Sequence, residues 1–328
     1  MTVPLLLPAN QPADRFYAGG AQIAGFRRQA WNGSRVPEDW VGSTTTLFGE
    51  ASLGLTVLAD GRTLRDAVAA DPRAWLGERH VVRFGADTRL LTKLLDAGQR
   101  LPVHLHPDGP FAAEHLGRAH GKTEAWVFLR GGEVHLGWRE ELSAARLRQL
   151  VDDQDVDGLL AAMHRVEVAS GDAVLVPAGM PHAIGAGTFL VEVQEPEDLS
   201  ILLEWRDFAL DGPRDGHLGL GFDRALQATD LVARSAEEVE ALVTRGRDAG
   251  PVLPAAAGSF FRVDRAAAGT ELEAGFAVVV VTAGTGVLSS SAADLQVQAG
   301  DTVLVPAAAG PAVLGGGLTA LVCRPPAP

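Results

Sequence analysis

Residues 170–179 read SGDAVLVPAG, and residues 299–308 read AGDTVLVPAA. Each copy has a Gly-Asp turn, four apolar residues and a proline, a pattern typical of a strand that ends in a tight corner. Each is followed by a turn and another strand that ends near a proline, at Pro196 and Pro325. The repetition predicts two copies of one β-barrel unit. The alternative is coincidence in a sequence biased towards Ala, Val and Gly.

The chain before the first copy also has strand patterning. From Leu101 onward, apolar residues alternate with His104 and His106. Residues two apart on a strand share a face, so we expect both imidazoles to point the same way. Residues 125–138 predict two strands around a Gly-Gly turn. Residues 140–163 change to a helical period, which predicts a helical insertion at about 139–165.

Composition excludes several classes of protein. The 328 residues include 28 Lys and Arg against 41 Asp and Glu, a net charge of −13. An acidic chain does not suit nucleic-acid binding, although a small anionic ligand needs only a few local cations. Cys323 is the single cysteine, so an internal disulfide is impossible and a cytoplasmic location is expected. The apolar runs are too short to span a membrane, and the first residues do not resemble a signal peptide.

Four residues have the chemistry and placement of metal ligands: His104, His106, Glu124 and His182. Imidazole and carboxylate are the usual protein ligands for zinc and similar ions. Any one histidine alone is more simply a core or surface residue. Three neighbouring strands could bring all four together inside a barrel. The second copy lacks them, because no histidine follows His217 and Pro311 aligns with His182.

The spacing of these residues resembles the two cupin motifs. His-x-His, Glu124 and Gly131 match the first motif, and Gly171, Pro177, Gly179 and His182 match the second. Seventeen residues separate His106 from Glu124, where simple cupins have three or four. The resemblance implies a mostly β fold with two cupin modules, each a double-stranded β-helix or jelly-roll. We expect a metal-binding module at 1–245, a linker at 246–258 and a cupin-like module without metal ligands at 259–328.

Longer stretches resemble the class I mannose-6-phosphate isomerases, which are zinc-dependent cupins. These stretches are LLTKLLDAGQRLPVHLHPDGPFA (90–112), GKTEAWVFL (121–129) and PAGMPHAIGAGTFLVEVQEPED (177–198). The resemblance implies aldose–ketose isomerisation through a cis-enediol, with Zn²⁺ or another divalent metal. It makes His106, Glu124 and His182 metal ligands, and His104 stands where the family usually has a glutamine ligand. Lys122 matches a lysine that is a candidate proton-transfer base.

Two departures concern the phosphate half of the site. Pro102 stands where the family has a serine near the bound phosphate, and Leu202 where it has an arginine thought to act on the substrate. Arg206 lies nearby in sequence and is predicted to substitute for that arginine. The expected ligand is a small-molecule sugar phosphate, with no nucleic-acid or membrane partner. Three alternatives stay open: another sugar as substrate, a non-catalytic sugar-binding protein, and a purely structural metal site.

Overall fold

Four antiparallel sheets dominate the computed structural model, which describes residues 3–31 and 33–328. This confirms the prediction of a mostly β protein. No helix among the described residues is long and apolar enough to cross a membrane.

The N-terminal part of the chain forms two of the sheets. The six-stranded sheet has the spatial order β12 (Val243–Thr244), β8 (Ala173–Val176), β5 (Glu124–Arg130), β10 (Phe189–Gln194), β3 (Leu91–Asp96) and β2 (Glu38–Val41). The five-stranded sheet has the order β11 (Ile201–Leu202), β4 (His104–Leu105), β9 (His182–Ile184), β6 (Gly132–Trp138) and β7 (Met163–Val168). Their inner faces pack on each other through residues such as Trp126, Leu136 and Ile184.

The other two sheets lie mainly in the C-terminal part. The six-stranded one has the order β1 (Leu5–Leu6), β19 (Thr302–Val305), β16 (Ala277–Ala283), β21 (Thr319–Arg324), β14 (Arg262–Ala267) and β13 (Gly250–Pro251). The four-stranded one has the order β15 (Glu271–Leu272), β20 (Ala312–Gly316), β17 (Thr285–Ser290) and β18 (Asp294–Gln298). An aliphatic core that includes Val279, Leu288 and Leu314 joins them.

A further core lies between the two six-stranded sheets. Val127 and Val191 of one sheet belong to the same buried cluster as Val278 and Leu321 of the other. Strands β5, β10 and β16 are buried on both faces of their sheets. Their sequences are therefore nearly continuous runs of hydrophobic residues and do not alternate with polar ones.

Short helices connect and cover the sheets. They are α1 (Ala21–Arg27), α2 (Leu64–Ala70), α3 (Pro72–Leu76), α4 (Glu78–Phe84), α5 (Gly109–Leu116), α6 (Ala144–Asp152), α7 (Val156–Ala161), α8 (Gly212–Asp215), α9 (Phe222–Ala225) and α10 (Ala236–Glu240). Three 3₁₀ turns lie at Leu226–Ala228, Ala255–Ser259 and Ala307–Ala309. Helices α6 and α7 lie within the range predicted for the insertion, and their apolar residues Leu147 and Leu159 share a core with Trp138 of the five-stranded sheet.

Both ends of the described chain contribute to the C-terminal six-stranded sheet. Leu5 pairs with Leu304, although the sequence placed residues 1–245 in one module. The predicted linker 246–258 contains β13, which pairs with β14 at the edge of the same sheet. These contacts do not follow the predicted boundaries, and the division into 1–245 and 259–328 stays a prediction about separate units.

Candidate metal centre

Three histidines meet inside the N-terminal pair of sheets. His104 on β4 lies directly opposite His182 on β9, and their Nε2 atoms are 3.0 Å apart. His106 comes two residues after His104, so its ring points to the same side. One ligand atom from each of the three residues lies within 4.8 Å of the others. All three side chains are buried. The cluster therefore offers three nitrogen ligands around one point.

The first residue of β5, Glu124, completes this group. Its carboxylate oxygens lie 3.0 Å from His106 Nε2 and 3.4 Å from His182 Nε2. Trp126 Nε1 donates a hydrogen bond of 2.9 Å to the same carboxylate and so fixes its orientation. The structure thus brings together all four residues predicted as metal ligands.

The orientation of each imidazole is fixed by a backbone carbonyl. The Nδ1 atoms of His104, His106 and His182 lie 2.8, 2.6 and 2.9 Å from the carbonyl oxygens of Pro102, Leu199 and Met180. With Nδ1 as the donor, Nε2 keeps its lone pair and faces the cluster. This outer-shell arrangement is typical of metal-binding histidines. The donor set therefore fits a divalent ion such as zinc.

The protonation states agree with that fit. Burial is the main cause that lowers the pKa of His106 to about 4 and that of His182 to about 3. The pKa of His104 is also well below its usual value, through burial and the neighbouring His182. Burial opposes ionisation of Glu124, but Lys122 and His106 hold its pKa well below the ordinary value. Neutral imidazoles and an ionised carboxylate are the forms that bind metals.

Two backbone features bring the ligands into place. Gly179, with a φ of 82°, turns the chain after β8, and its N–H donates to the carbonyl of His106. This bond joins the loops that carry His106 and His182. The seventeen residues between His106 and Glu124 contain α5, whose first turn is capped by Asp108. The long gap is therefore filled by a helix and leaves the ligand geometry intact.

Lys122, the candidate proton-transfer base, is buried beside the ligands. Its Nζ lies 2.9 Å from His106 Nε2 and also contacts the Glu124 carboxylate. The Nζ–Oε1 distance to Glu192 is 3.9 Å. Lys122 therefore bridges the histidine cluster to a second buried carboxylate.

A small cleft with a volume of about 40 Å³ opens next to the cluster. Its lining includes His104 and Lys122 together with two further cations and three further carboxylates: Arg15, Lys93, Glu38, Glu192 and Asp198. Glu192 is paired across the sheet with Lys93, and its Oε1 has no hydrogen-bond partner among the described residues. Burial, with the nearby charge of Glu124, raises the pKa of Glu192 to about 7. The cleft thus contains a carboxylate that can exchange a proton near neutral pH.

Arg206 lies outside this cleft. Its side chain is exposed, and its guanidinium approaches the carbonyl of Asp153 at 3.4 Å. It lines a separate surface depression with Gln154 and Asp157. Arg206 is not among the residues that line the cleft beside the histidines, and its substitution for the arginine at the position of Leu202 stays a prediction.

Comparison with known proteins shows which enzymes this chain is similar to. No family model matches the chain. It is 32% identical over 187 residues to the mannose-6-phosphate isomerase of Streptococcus mutans, covering 53% of this chain and 56% of that protein. It is 31% identical over 205 residues to the Bacillus subtilis protein GmuF, named a probable mannose-6-phosphate isomerase, covering 60% of each chain. The matched region is therefore somewhat more than half the length of these curated relatives.

The chain is similar to mannose-6-phosphate isomerases over 53–60% of its length. Solved structures show that the fold likeness extends over the whole length. The mannose 6-phosphate isomerase of Bacillus subtilis superposes with a TM-score of 0.73 at 22% identity, covering 98% of this chain and all of that one. A variant of phosphomannose isomerase from Salmonella typhimurium gives 0.72 at 17% identity, covering 99% and 100%.

The two positions expected to hold phosphate-binding groups lie close to the histidines. Leu202 is buried and pairs with His104 across β11 and β4, so an apolar side chain stands where the resemblance implied an arginine. Pro102 lines the cleft and brings no hydroxyl group. The four predicted metal ligands come together, whereas these two positions provide no polar side chain.

Sequence reasoning missed several residues of the cleft. Glu192 and Lys93 each lie in a strand whose other residues are buried and mostly apolar, FLVEVQ and LTKLLD. A charged residue in such a strand is a usable signal, because burying it is costly unless a partner or a function requires it. Arg15 gave no such signal, since it lies outside any regular element. Trp40 is fully buried, and the Lys93 ammonium lies 4.5 Å from the centre of its ring.

Proposed function

We propose that this protein is a metal-dependent aldose–ketose isomerase that interconverts mannose 6-phosphate and fructose 6-phosphate through a cis-enediol. The observation that carries the proposal is the convergence of His104, His106, Glu124 and His182 beside two proton-exchanging groups. The named relatives support the choice of reaction and substrate. The likeness to solved isomerase structures supports two cupin modules, of which only the N-terminal one holds the four ligands.

The four ligands would hold Zn²⁺ or another divalent metal. When bound, such an ion supplies Lewis-acid stabilisation to the carbonyl and hydroxyl oxygens of the sugar. The carbonyl-bound Nδ1 atoms keep the three imidazoles oriented towards the ion. The proposal of a metal is therefore supported by the four ligand side chains themselves, since the hydrogen bonds at Nδ1 keep the imidazoles in the tautomer that can bind a metal through Nε2.

The chain's own part in the reaction is to move one proton between two carbons of the sugar. In the forward direction a base removes the proton from C2 of the aldose while O1 gains a proton, giving the enediol. The O2 hydroxyl then gives up its proton as the base returns the first proton to C1. Glu192 has a pKa of about 7, near the value that is best for a general base at neutral pH. Lys122, 3.9 Å away, can exchange a proton with it or with a sugar oxygen. Arg206 has no role in this scheme.

The cleft also keeps water from the reacting carbons. Lys93, Lys122, Glu192 and Glu38 are all at least nine-tenths buried. In such an environment the charges of the side chains act on the substrate with little screening by solvent. We place the reaction in the cytoplasm, since the single thiol, Cys323, is buried and unpaired.

A coupled assay for conversion of mannose 6-phosphate, with zinc-loaded protein beside His182→Ala, tests the proposal. We expect turnover in the unmodified protein and none above background in the variant. Folded, metal-replete protein without turnover would rule out this substrate.

A different sugar is the second candidate, and Leu202 and Pro102 are the observations that favour it. Turnover of unphosphorylated aldoses but not of mannose 6-phosphate would support that alternative. Binding of sugars without any turnover would instead indicate a non-catalytic sugar-binding protein.

A further inference from the structure

We infer that Arg15 recognises the phosphate group of the substrate and so supplies the anion-binding function that Pro102 and Leu202 lack. This inference rests on the proposed function, and it assigns the substrate class to phosphorylated rather than neutral sugars. The inference rests on a comparison of the cations that line the cleft, because protein groups already neutralise some of them.

Both lysines of the cleft already have negatively charged neighbours. Lys93 Nζ lies between three carboxylates, 3.6 Å from Glu38, 3.5 Å from Glu192 and 3.9 Å from Asp198. Lys122 is held by Glu124 and His106. An incoming anion would have to displace carboxylates that are themselves buried, and such a displacement is unfavourable.

Arg15 differs from both lysines. Its Nε lies 3.1 Å from Glu38 Oε1, but its two terminal nitrogens have no hydrogen-bond acceptor among residues 3–31 and 33–328. The side chain is 13% exposed and lines the cleft together with His104. These two nitrogens are therefore donors of the cleft that no protein acceptor among the described residues uses.

Glu38, the carboxylate that binds Arg15 Nε, has hydrogen-bond donors other than those two nitrogens. Glu38 also accepts hydrogen bonds of 2.7 Å from the Tyr17 hydroxyl and from Trp40 Nε1. The Arg15 N–H donates to the carbonyl of Arg35, and the next residue, Phe16, accepts from the N–H of Ala209. The guanidinium is thus anchored through its Nε, and its outer edge, formed by the two terminal nitrogens, has no acceptor among the described residues.

That edge matches the chemistry of a phosphate monoester. A planar guanidinium can present two parallel N–H donors to two phosphate oxygens, which a lysine cannot do. A partly buried charge with unused donors is costly, and an anionic group of the substrate offsets that cost. A neutral hydroxyl end of a sugar would leave the charge uncompensated.

The test uses the full-length, zinc-loaded protein and the variants Arg15→Gln and Arg15→Lys. Arg35→Gln is the matched control, since Arg35 pairs with Asp14 at the surface and its side chain is 43% exposed. Calorimetry measures binding of sorbitol 6-phosphate, a polyol that lacks the carbonyl needed for turnover, and of sorbitol. The same proteins are assayed for KM and kcat on mannose 6-phosphate.

We expect Arg15→Gln to weaken binding of sorbitol 6-phosphate by about 10- to 100-fold and to leave binding of sorbitol unchanged. KM for mannose 6-phosphate should rise by a similar factor, with kcat changed much less, because the phosphate is bound equally in the ground and transition states. Arg15→Lys should retain charge but lose the paired donors, giving an intermediate result. Arg35→Gln should behave as the unmodified protein.

Equal binding of the phosphorylated polyol by the unmodified protein and by Arg15→Gln would overturn the inference. So would unmodified protein that binds sorbitol 6-phosphate no better than sorbitol. If Arg15→Gln does not fold, judged by its thermal transition and zinc content, Arg15→Lys decides on the same criteria. If phosphate binding depends on Arg15 but there is no turnover, only the isomerase proposal is contradicted. If there is turnover that substitution of Arg15 does not change, only this inference is contradicted.

Discussion

The two pairs of sheets share a strand-turn pattern but have opposite interiors. The N-terminal pair contains buried charged groups beside its apolar core, among them Lys93, Glu124 and Glu192. Within residues 259–328, the buried polar side chains are Thr302 and Arg324, and the core between the sheets is aliphatic. The same pattern therefore supports either a reactive interior or a purely structural one.

The difference is most direct at the turn after each copy of the motif. After β8, the turn at Gly179 leads to His182, which is buried between the sheets. After β19, the 3₁₀ turn Ala307–Ala309 leads to Pro311, which is exposed. The functional difference between the two halves thus depends on a few inward-facing positions and does not require a different sheet architecture.

The largest expected effect comes from removing a ligand from the reactive half. His182→Ala should lower zinc affinity and turnover by more than about 100-fold, because even outer-shell substitutions cost about 10- to 100-fold. Elemental analysis and the coupled assay measure this. Pro311→Ala, at the aligned position of the other half, is the control and should change neither. Full zinc content in His182→Ala would show that the histidine is not a ligand.

Next in size is the effect of Glu192→Gln. Loss of a general base should lower kcat by about 100-fold or more, while thermal stability is kept or raised because a buried ionisable group becomes neutral. Since the pKa of Glu192 is about 7 and the base must be ionised, the rate of the unmodified protein should rise with pH through that value.

The control for Glu192 is Asp264→Asn in the C-terminal half. Burial also raises the pKa of Asp264. This substitution should leave both the rate and its pH profile unchanged. A pH profile that is the same in the unmodified protein and in a residually active Glu192→Gln would exclude Glu192 as the base.

A smaller effect, on stability alone, is expected in the structural half. Leu288 is fully buried in the aliphatic core, and Leu288→Ala should lower the free energy of unfolding by about 2–5 kcal/mol. Urea denaturation measures the change, and zinc content should stay complete. Loss of zinc in this variant would mean that the two halves are coupled more tightly than their separate cores indicate.

The smallest expected effect concerns a contact between the halves. Arg27 Nη1 donates a hydrogen bond of 2.8 Å to the hydroxyl of Thr302, which is buried on β19. Thr302→Val removes this acceptor and should cost about 1 kcal/mol in the free energy of unfolding. Turnover should not change. A cost above that of Leu288→Ala would make this contact, and not the aliphatic core, the main support of the structural half.

The sequence predicted the metal half of the site because it is local. His104 and His106 share a strand face, and Gly179 and His182 share one turn, so spacing alone places them. The capping box at Ser235 and Glu238 is equally local, because its two residues are only three positions apart.

The cleft was predicted less well because its residues come from distant parts of the chain. Arg15, Glu38 and Lys93 meet only through the pairing of β2 with β3 and the folding of the N-terminal segment over that sheet. Arg206 was proposed because it is close to Leu202 in sequence. The place of a residue that follows β11 depends, however, on how the chain turns after that strand. The sequence order of residues does not determine such contacts.

The pairing of Leu5 with Leu304 has a consequence for the order of folding during synthesis. The strand made first receives its partner only when nearly all of the described chain has left the ribosome. Arg15 does not depend on this pairing, because Glu38 and the carbonyl of Arg35 hold it. Contacts of such long sequence separation form slowly, so β19 keeps an unpaired edge until β1 docks on it.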